Sequence, residues 1–245
     1  MSYTVKINEI HFINHDVLYI ETEKPEGYTF KPGQATEVAI NKSKWKEKKR
    51  PFTFTNLPEE EVLQFTIKTY PEHNGVTQKL GTLQNGDELI IGDSWGAIAY
   101  EGTGVFIAGG AGITPFLAIF KQLEQEGKIS GNKLLFANKK EEDIIYAPEL
   151  EALLEENFIN ILSDEKDTNY ATGYIDKAFL NKHINTTTLK KFYVCGPPPM
   201  MESVINDLKK WGLPKNASFK KLWSNFTYIN CHWASLSLLK ALARQ

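Results

Sequence analysis

The chain has 245 residues, 42% of them hydrophobic, 12% aromatic and 24% charged, close to the average of soluble globular proteins. That length makes one large domain or two ordinary ones and buries roughly 70 to 75% of the unfolded surface, which excludes global disorder and fibrous repeats. The net charge of -2 supplies no long-range field for nucleic acid or an anionic membrane. Two cysteines, Cys195 and Cys231, are too few for a disulfide framework or a four-cysteine iron-sulfur or zinc site. The opening "MSYTVKINEIHF" lacks the basic start and apolar run of a signal peptide, and no apolar stretch approaches about eighteen residues. The expectation is a cytoplasmic protein without metal, membrane or nucleic acid.

Up to residue 101 the chain reads as short β segments separated by turn residues: "YTVKINEIHFI", "VLYIETE", "ATEVAI", "PFTFTN", "VLQFTIKTY" and "DELIIG". Strands at this spacing predict an antiparallel barrel or sandwich. One short helix interrupts them near Val76. From Gly104 apolar runs, "VFIAGG", "KLLFAN", "INILSDE" and "KFYVCG", alternate with amphipathic stretches, which predicts a parallel sheet buried on both faces. The last helix is signalled by Pro199, by a stripe of Met201, Val204, Ile205, Leu208 and Trp211, and by Gly212 and Pro214 as its stop. The division falls at "EGTG", so residues 1-101 form a β domain, 102-222 an α/β domain, and 223-245 a tail.

Four stretches carry chemistry, taken in chain order. "RPFTFTN", residues 50 to 56, opens a strand with Arg50, locked by Pro51; its guanidinium offers a planar donor fork to phosphate, Phe52 an aromatic face and Thr53 a hydroxyl. Before it, "NKSKWKEKKR" gathers Lys42, Lys44, Lys46, Lys48, Lys49 and Arg50 around one glutamate, in what charge runs usually are, a solvated loop. In "HNGVTQKL", Gly75 precedes a helix beginning at Val76 and Thr77, which suits either a phosphate or a plain capped helix. "GVFIAGGAGITPFLAIF" is a buried strand, a glycine turn and a helix opened by Pro115, with Phe116, Ile119, Phe120 and Leu123 facing inward. Its glycines let backbone approach an anion at the positive helix end. They also suit a plain tight turn, since the third glycine of a Rossmann fingerprint is missing. "KFYVCGPPPMM" ends a strand at Cys195 and Gly196 beside a rigid proline wall. Both turns should face one crevice at the carboxyl ends of the strands. Cys195 by itself reads as a small buried apolar residue.

Together, and in this order, the four stretches resemble the ferredoxin-NADP reductase family, in particular its compact bacterial flavodoxin reductase-like members. The resemblance covers about residues 3 to 215 and is carried most specifically by "RPFTFTN" and "CGPPPMM". It implies an N-terminal six-stranded antiparallel β-barrel for the flavin and a Rossmann-like parallel-sheet domain for the nicotinamide nucleotide. It implies that Arg50 binds the flavin pyrophosphate, that Phe52 stacks on the isoalloxazine, and that Thr53 hydrogen-bonds the nitrogen that accepts hydride. Ile67, Lys68, Thr69 and Tyr70 match the second flavin strand, and Gly75, Val76 and Thr77 the phosphate-binding helix start. Gly109, Gly110, Ala111, Gly112, Ile113 and Thr114 match the nicotinamide nucleotide site, with Thr114 at the flavin interface. Cys195, Gly196, Pro197 and Pro198 match the border of the nicotinamide ring. Thr53 and Cys195 are the residues nearest the chemistry. The implied cofactors are FAD, in preference to FMN, and NADH or NADPH.

Three departures from the family pattern qualify this. Phe52 stands where the family usually has tyrosine, which keeps the stacking surface and loses one hydrogen bond, about 0.5 to 1.5 kcal/mol. In "ILSDE", Asp164 follows Ser163 where NADP-specific members have arginine; an acidic residue repels a 2'-phosphate, and Lys139 and Lys140 partly compensate, so the reading inclines to NADH. The chain continues well beyond the family's usual end, with Trp223 as the expected aromatic cover of the flavin, and Leu238 and Leu242 suggest an amphipathic helix for self-association. The implied activity is hydride transfer from NAD(P)H to FAD, then electron transfer to an external acceptor such as an acidic flavodoxin or ferredoxin, docking near Lys42 to Lys49. The alternatives are a ferric-chelate or free-flavin reductase, and a non-catalytic flavin-binding electron-transfer subunit.

Overall fold

A computed structural model describes residues 1-96, 98-184, 191-210 and 218-221. Trp211, Gly212, Pro214, Trp223, Leu238 and Leu242 lie outside the described residues.

Alternation of buried and exposed side chains builds the first half. Its strands are β1 (Ser2–Phe12), β2 (Val17–Glu23), β3 (Ala35–Ile40), β4 (Arg50–Thr53), β5 (Val62–Lys68) and β6 (Glu88–Gly92). Among the described residues they form one antiparallel sheet of six strands in the order β4-β3-β6-β1-β2-β5. The sheet closes on itself where the expected strand "PFTFTN" changes partners. Through Thr53 it pairs with β3. Phe54 then bridges Phe65 of β5, and the Thr55 amide donates to the Gln64 carbonyl at 2.9 Å. Phe54 sits at this seam with no solvent exposure, stacked on Phe30 with ring centroids 4.2 Å apart. Val76 and Leu80 of the short helix α1 (Val76–Leu80) join the same core as Val5, Ile20 and Ile91.

The second half alternates strands and helices: β7 (Gly104–Gly109), α2 (Thr114–Gln125), β8 (Lys133–Asn138), α3 (Ala147–Leu154), β9 (Phe158–Leu162), β10 (Ala171–Thr172), α4 (Lys177–His183), β11 (Lys191–Cys195), α5 (Pro198–Lys210) and β12 (Ser218–Lys221). The strands pair in parallel in the order β10-β9-β8-β7-β11-β12. Every residue of β7 is buried, because helices or the barrel cover both faces of the sheet, which is why its sequence is an unbroken apolar run. One face packs Phe106, Phe136 and Tyr193 against Phe116, Ile119, Phe120 and Leu123 of α2. The other packs Val105, Ile107 and Leu135 against Phe179 of α4 and Met201, Val204 and Leu208 of α5. Val17 and Ile98 of the first half join the α2 side, so that face of the sheet lies against the barrel. The strands β10 and β12 were not expected; the first is two residues long and the second, "SFKK", has no apolar run.

The chain builds β7, β8 and β9 in one direction and returns to place β11 on the other side of β7. The strand order therefore reverses between β7 and β11, and the crevice at their carboxyl ends is where open α/β sheets bind ligands.

Candidate active site

At this switch point two turns are packed back to back. A side-chain carbon on Gly112 would lie 2.2 Å from the carbonyl oxygen of Cys195, and one on Gly109 would lie 2.3 Å from Met200 Sδ and 3.1 Å from Pro197 Cδ. One on Gly196 would lie 2.8 Å from Met200 Sδ and 3.1 Å from the Gly109 nitrogen. Only glycine lets the two backbones approach so closely. Gly110 differs: its φ is +50°, and nothing lies within 4 Å of where its side chain would be. The residues Gly110–Ile113 form a 3-10 turn that runs straight into α2 at Thr114, one residue before the Pro115 start that the sequence suggested. The result is an open backbone concavity at a helix N-terminus, which fits an anionic pyrophosphate.

Cys195 lies in the core beside Phe106, Ala108 and Ile113. Burial pushes its thiol up to about 12, against a smaller opposing effect of its hydrogen bond with the Gly196 backbone. The thiol is therefore neutral at physiological pH and exchanges no proton there. Its place at the strand end leaves packing and the backbone as its contribution.

On the barrel side, the Thr53 hydroxyl donates to Thr114 Oγ1 at 2.7 Å, in a buried contact that spans the two halves. Thr114 in turn donates to the Ala111 carbonyl at 3.0 Å, inside the glycine turn. The first hydroxyl of "RPFTFTN" is thus tied to the nucleotide half. Thr55 continues the pattern, since it accepts from Thr66 at 3.4 Å, and Thr66 meets the Tyr146 hydroxyl across the interface at 3.4 Å. Phe52 packs part of its ring against the barrel core. Arg50 is exposed, with one guanidinium bond to the Lys49 carbonyl at 2.8 Å, and Pro51 is half-buried.

The other expected residues are more dispersed. Ile67 and Val76 turn their side chains into the barrel core. Lys68 is held by two carboxylates, Asp16 at 2.8 Å and Asp143 at 3.1 Å. The Thr69 hydroxyl donates to the Asp16 carbonyl at 2.9 Å, and Tyr70 stacks on His73. These side chains are committed to protein, so at Ile67, Lys68 and Thr69 it is backbone that remains for a ligand. Gly75 precedes α1 in extended conformation, with Thr77 half-buried in the first turn. At the far side of the crevice, Ser163 donates to Asp164 at 2.7 Å, and the Asp164 amide donates to the Lys139 carbonyl at 2.9 Å. The Glu141 amide donates to Glu165 at 2.7 Å, which ties the loops after β8 and β9 together, and Lys140 Nζ lies 3.4 Å from Glu142.

Thr66, Tyr146, Asp16 and Asp143 were not expected at the interface. Thr66 was accessible from alternation on β5, where Gln64, Thr66 and Lys68 share the outer face. Its partner Tyr146 was not, because a contact 80 residues away in the chain leaves no periodic trace.

Residues 2–89 match the FAD-binding domain family and residues 106–206 the oxidoreductase NAD-binding domain family. Among solved structures, the ferredoxin NADP+ reductase from Neisseria gonorrhoeae, with bound FAD and NADP, superposes with a TM-score of 0.75 at 20% identity, over 86% of this chain and 92% of that one. The chain thus carries an FAD-binding domain followed by an oxidoreductase NAD-binding domain, and shares the fold of that ferredoxin NADP+ reductase. In this reductase fold the barrel is the FAD-binding domain and the α/β half the NAD-binding domain. The cytochrome b5 reductase domain of Ulva prolifera nitrate reductase shares the fold with a TM-score of 0.76 at 23% identity, over 89% of this chain and 96% of that one. By sequence, the chain is 31% identical to NADH-cytochrome b5 reductase 1 of Aspergillus terreus over 172 residues, 64% of this chain and 58% of that one. It is 24% identical to the reductase component of propane 2-monooxygenase from Mycolicibacterium goodii over 216 residues, 82% of this chain and 61% of that one. Its matched length is therefore about 60% of these curated relatives. Among the described residues, no helix is long and apolar enough to cross a membrane.

Proposed function

We propose that the chain accepts hydride from a nicotinamide nucleotide on FAD and passes the electrons singly to an external carrier. The observation that carries this is the 2.7 Å bond from Thr53 to Thr114. It joins the barrel edge that opens with Arg50 to the first residue of α2, which puts the two cofactor domains face to face at the switch point. The flavin, when bound, supplies the redox chemistry, and the chain's own work is positioning and exclusion of water.

In this reading Arg50 holds the flavin pyrophosphate with the free part of its guanidinium, helped by the backbone of Gly75, Val76 and Thr77. Phe52 presents its ring to the flavin, and Pro51 holds the strand that carries both. The backbone of β5 from Ile67 to Tyr70 borders the cofactor. Thr53, at the junction of the two domains, would bring its hydroxyl to the hydride-accepting nitrogen. Gly109 to Thr114 cradle the nucleotide phosphates, and Cys195, Gly196, Pro197 and Pro198 wall the nicotinamide side. Ser163 borders the distal ribose. The carboxylates of Asp164 and Glu165 there disfavour a 2'-phosphate, which supports NADH over NADPH as donor. We place the division between the domains at residues 101 and 102, and the protein in the cytoplasm, which cell fractionation checks.

The acceptor docks on the basic loop. Lys44, Lys46, Lys48, Lys49 and Arg50 are exposed there; Lys42 is paired with Asp87 at 2.8 Å and Lys48 lies over the Trp45 ring at 4.4 Å. Complementary charge steers an acidic partner such as flavodoxin or ferredoxin. The relatives named cytochrome b5 reductase and monooxygenase reductase component favour a second acceptor class, a haem protein or an oxygenase component.

The test is anaerobic: purified, FAD-loaded protein should be yellow and bleach with NADH faster than with NADPH. Protein that gains no flavin on reconstitution, or that holds flavin without bleaching, sinks the proposal. Single-turnover reoxidation by flavodoxin, ferredoxin, cytochrome b5 and ferric chelate then ranks the acceptors.

A further inference from the structure

We infer that Lys68 is a positioning residue, which sets the approach of the nucleotide domain to the barrel by pairing Asp16 of one with Asp143 of the other. The inference rests on the hydride transfer proposed above.

Lys68 ends β5 and shares its outer face with Thr66. Its side chain is only 18% exposed, and those of Asp16 and Asp143 are 19% and 12% exposed. Nζ lies 2.8 Å from Asp16 Oδ2 and 3.1 Å from Asp143 Oδ1. Burial alone lowers the ammonium's affinity for its proton, but the two carboxylates outweigh it and hold the pKa above the usual lysine value. The group is thus a charged cross-link under partial cover: removal of Lys68 leaves two carboxylates uncompensated, and removal of Asp143 leaves the lysine tied to the barrel alone.

Both ends are anchored in backbone. Asp143 closes the 3-10 turn Glu141–Asp143, with its other oxygen accepting from the Lys140 amide at 3.1 Å. The Asp16 carbonyl accepts from the Thr69 amide at 2.7 Å and the Thr69 hydroxyl at 2.9 Å. Asn14, two residues before Asp16, donates to the Glu142 carbonyl at 3.3 Å. His15 Nε2 lies 3.5 Å from both carboxylates, on their exposed side.

The location gives the cluster its effect. Thr53 bonds Thr114, Thr66 meets Tyr146 and Lys68 pairs with Asp143, so three separate polar contacts from β4 and β5 join the barrel to the nucleotide domain. Together with the apolar packing of Val17 and Ile98 against the α2 side, these spaced polar contacts fix the angle of the nucleotide domain. Tyr146 supports this rigidity, since it holds a left-handed backbone, φ +54°, that an aromatic residue adopts only when its surroundings impose it. Hydride transfer requires a near-attack geometry, and a displacement of about 1 Å costs about 100-fold in rate.

The test uses the FAD-loaded full chain in stopped-flow reduction by NADH, with four variants: Lys68→Met, Asp143→Asn, the pair combined, and Lys68→Arg. Asn at 143 keeps an oxygen for the Lys140 amide and removes the charge. Each single variant is expected to lower the limiting rate of flavin reduction about 10- to 100-fold, with FAD retained and the nucleotide Kd within about threefold. The combined variant should be no slower than the worse single one, and Lys68→Arg should recover most of the rate. If Lys68→Met fails to hold FAD, Asp143→Asn and Lys68→Arg decide alone. Unchanged reduction by Asp143→Asn, losses that multiply in the combined variant, or a loss confined to nucleotide Kd at Lys68 overturns the inference. Absence of bleaching in the unsubstituted protein sinks the hydride reading first, and the inference with it.

Discussion

At the barrel edge, Arg50, Phe52 and Thr53 each present a side chain with its own surroundings, whereas at the switch point Gly109, Gly112 and Gly196 contribute no side chain and the backbone itself comes forward. The first region is assembled from separable groups. Arg50 is exposed while Thr53 is buried against Thr114, so one can change without moving the other. The second is a knot of main chain, in which Gly112 lies against the Cys195 carbonyl and Gly109 against Met200 and Pro197. The difference teaches where substitution is graded and where it is abrupt, because a missing contact costs its own energy while an overlap displaces everything attached to it.

The largest expected effect is therefore at the knot. Gly112→Ala places a carbon 2.2 Å from rigid backbone and should cost about 3 kcal/mol in urea unfolding, with loss of nucleotide binding. Gly110→Ala, where nothing lies within 4 Å, should cost only about 1 kcal/mol for its positive φ. Equal losses at the two positions would break the contrast.

At the barrel edge, Arg50→Ala should weaken FAD retention by about 2 kcal/mol, roughly thirtyfold, as expected for lost charge-assisted bonds. Thr53→Ala should leave retention nearly intact and slow flavin reduction instead. Equilibrium dialysis of FAD and stopped-flow reduction on both variants separate the two roles.

Cys195 belongs to the knot and titrates accordingly. Its folded value of about 12 stands above the unfolded value of 9.0, so as pH rises the unfolded chain releases its proton first. This group's contribution is complete below pH 9.0 and is lost as the pH rises towards about 12, with a slope of about 1.4 kcal/mol per pH unit inside that window. Cys195→Ala should flatten that alkaline slope in unfolding titrations, and an unchanged slope would remove the thiol from the buried core.

The smallest effect is expected at Phe52. Phe52→Tyr restores the hydroxyl usual in the family and should tighten FAD by at most about 1 kcal/mol, readable by flavin fluorescence titration. A larger gain would mean that the barrel edge is less separable than its side-chain construction implies.

Much of this was legible before the structure. The six β segments, the inward stripe of Phe116, Ile119, Phe120 and Leu123, and the glycine and proline turns all appear where local spacing placed them. The short β10 and β12 escaped, because a strand of two residues and one reading "SFKK" carry no periodicity. The hydroxyls of "RPFTFTN" were legible as a face but not as a contact: Thr53 reaches Thr114, 61 residues on. Lys68 was legible as a strand residue and not as a cross-link, since its partner Asp143 lies 75 residues away.

By itself, then, the sequence determined the order of the main strands and helices, the two domain types and the position of the glycine and proline turns. These depend on side-chain periodicity and on backbone freedom within a few residues. Tertiary structure alone decided which strand edges close the barrel, how near Gly112 comes to Cys195, and which polar groups of one domain bond those of the other. Such pairings join groups far apart in the chain through burial and hydrogen bonding, and no local pattern encodes the partner's address.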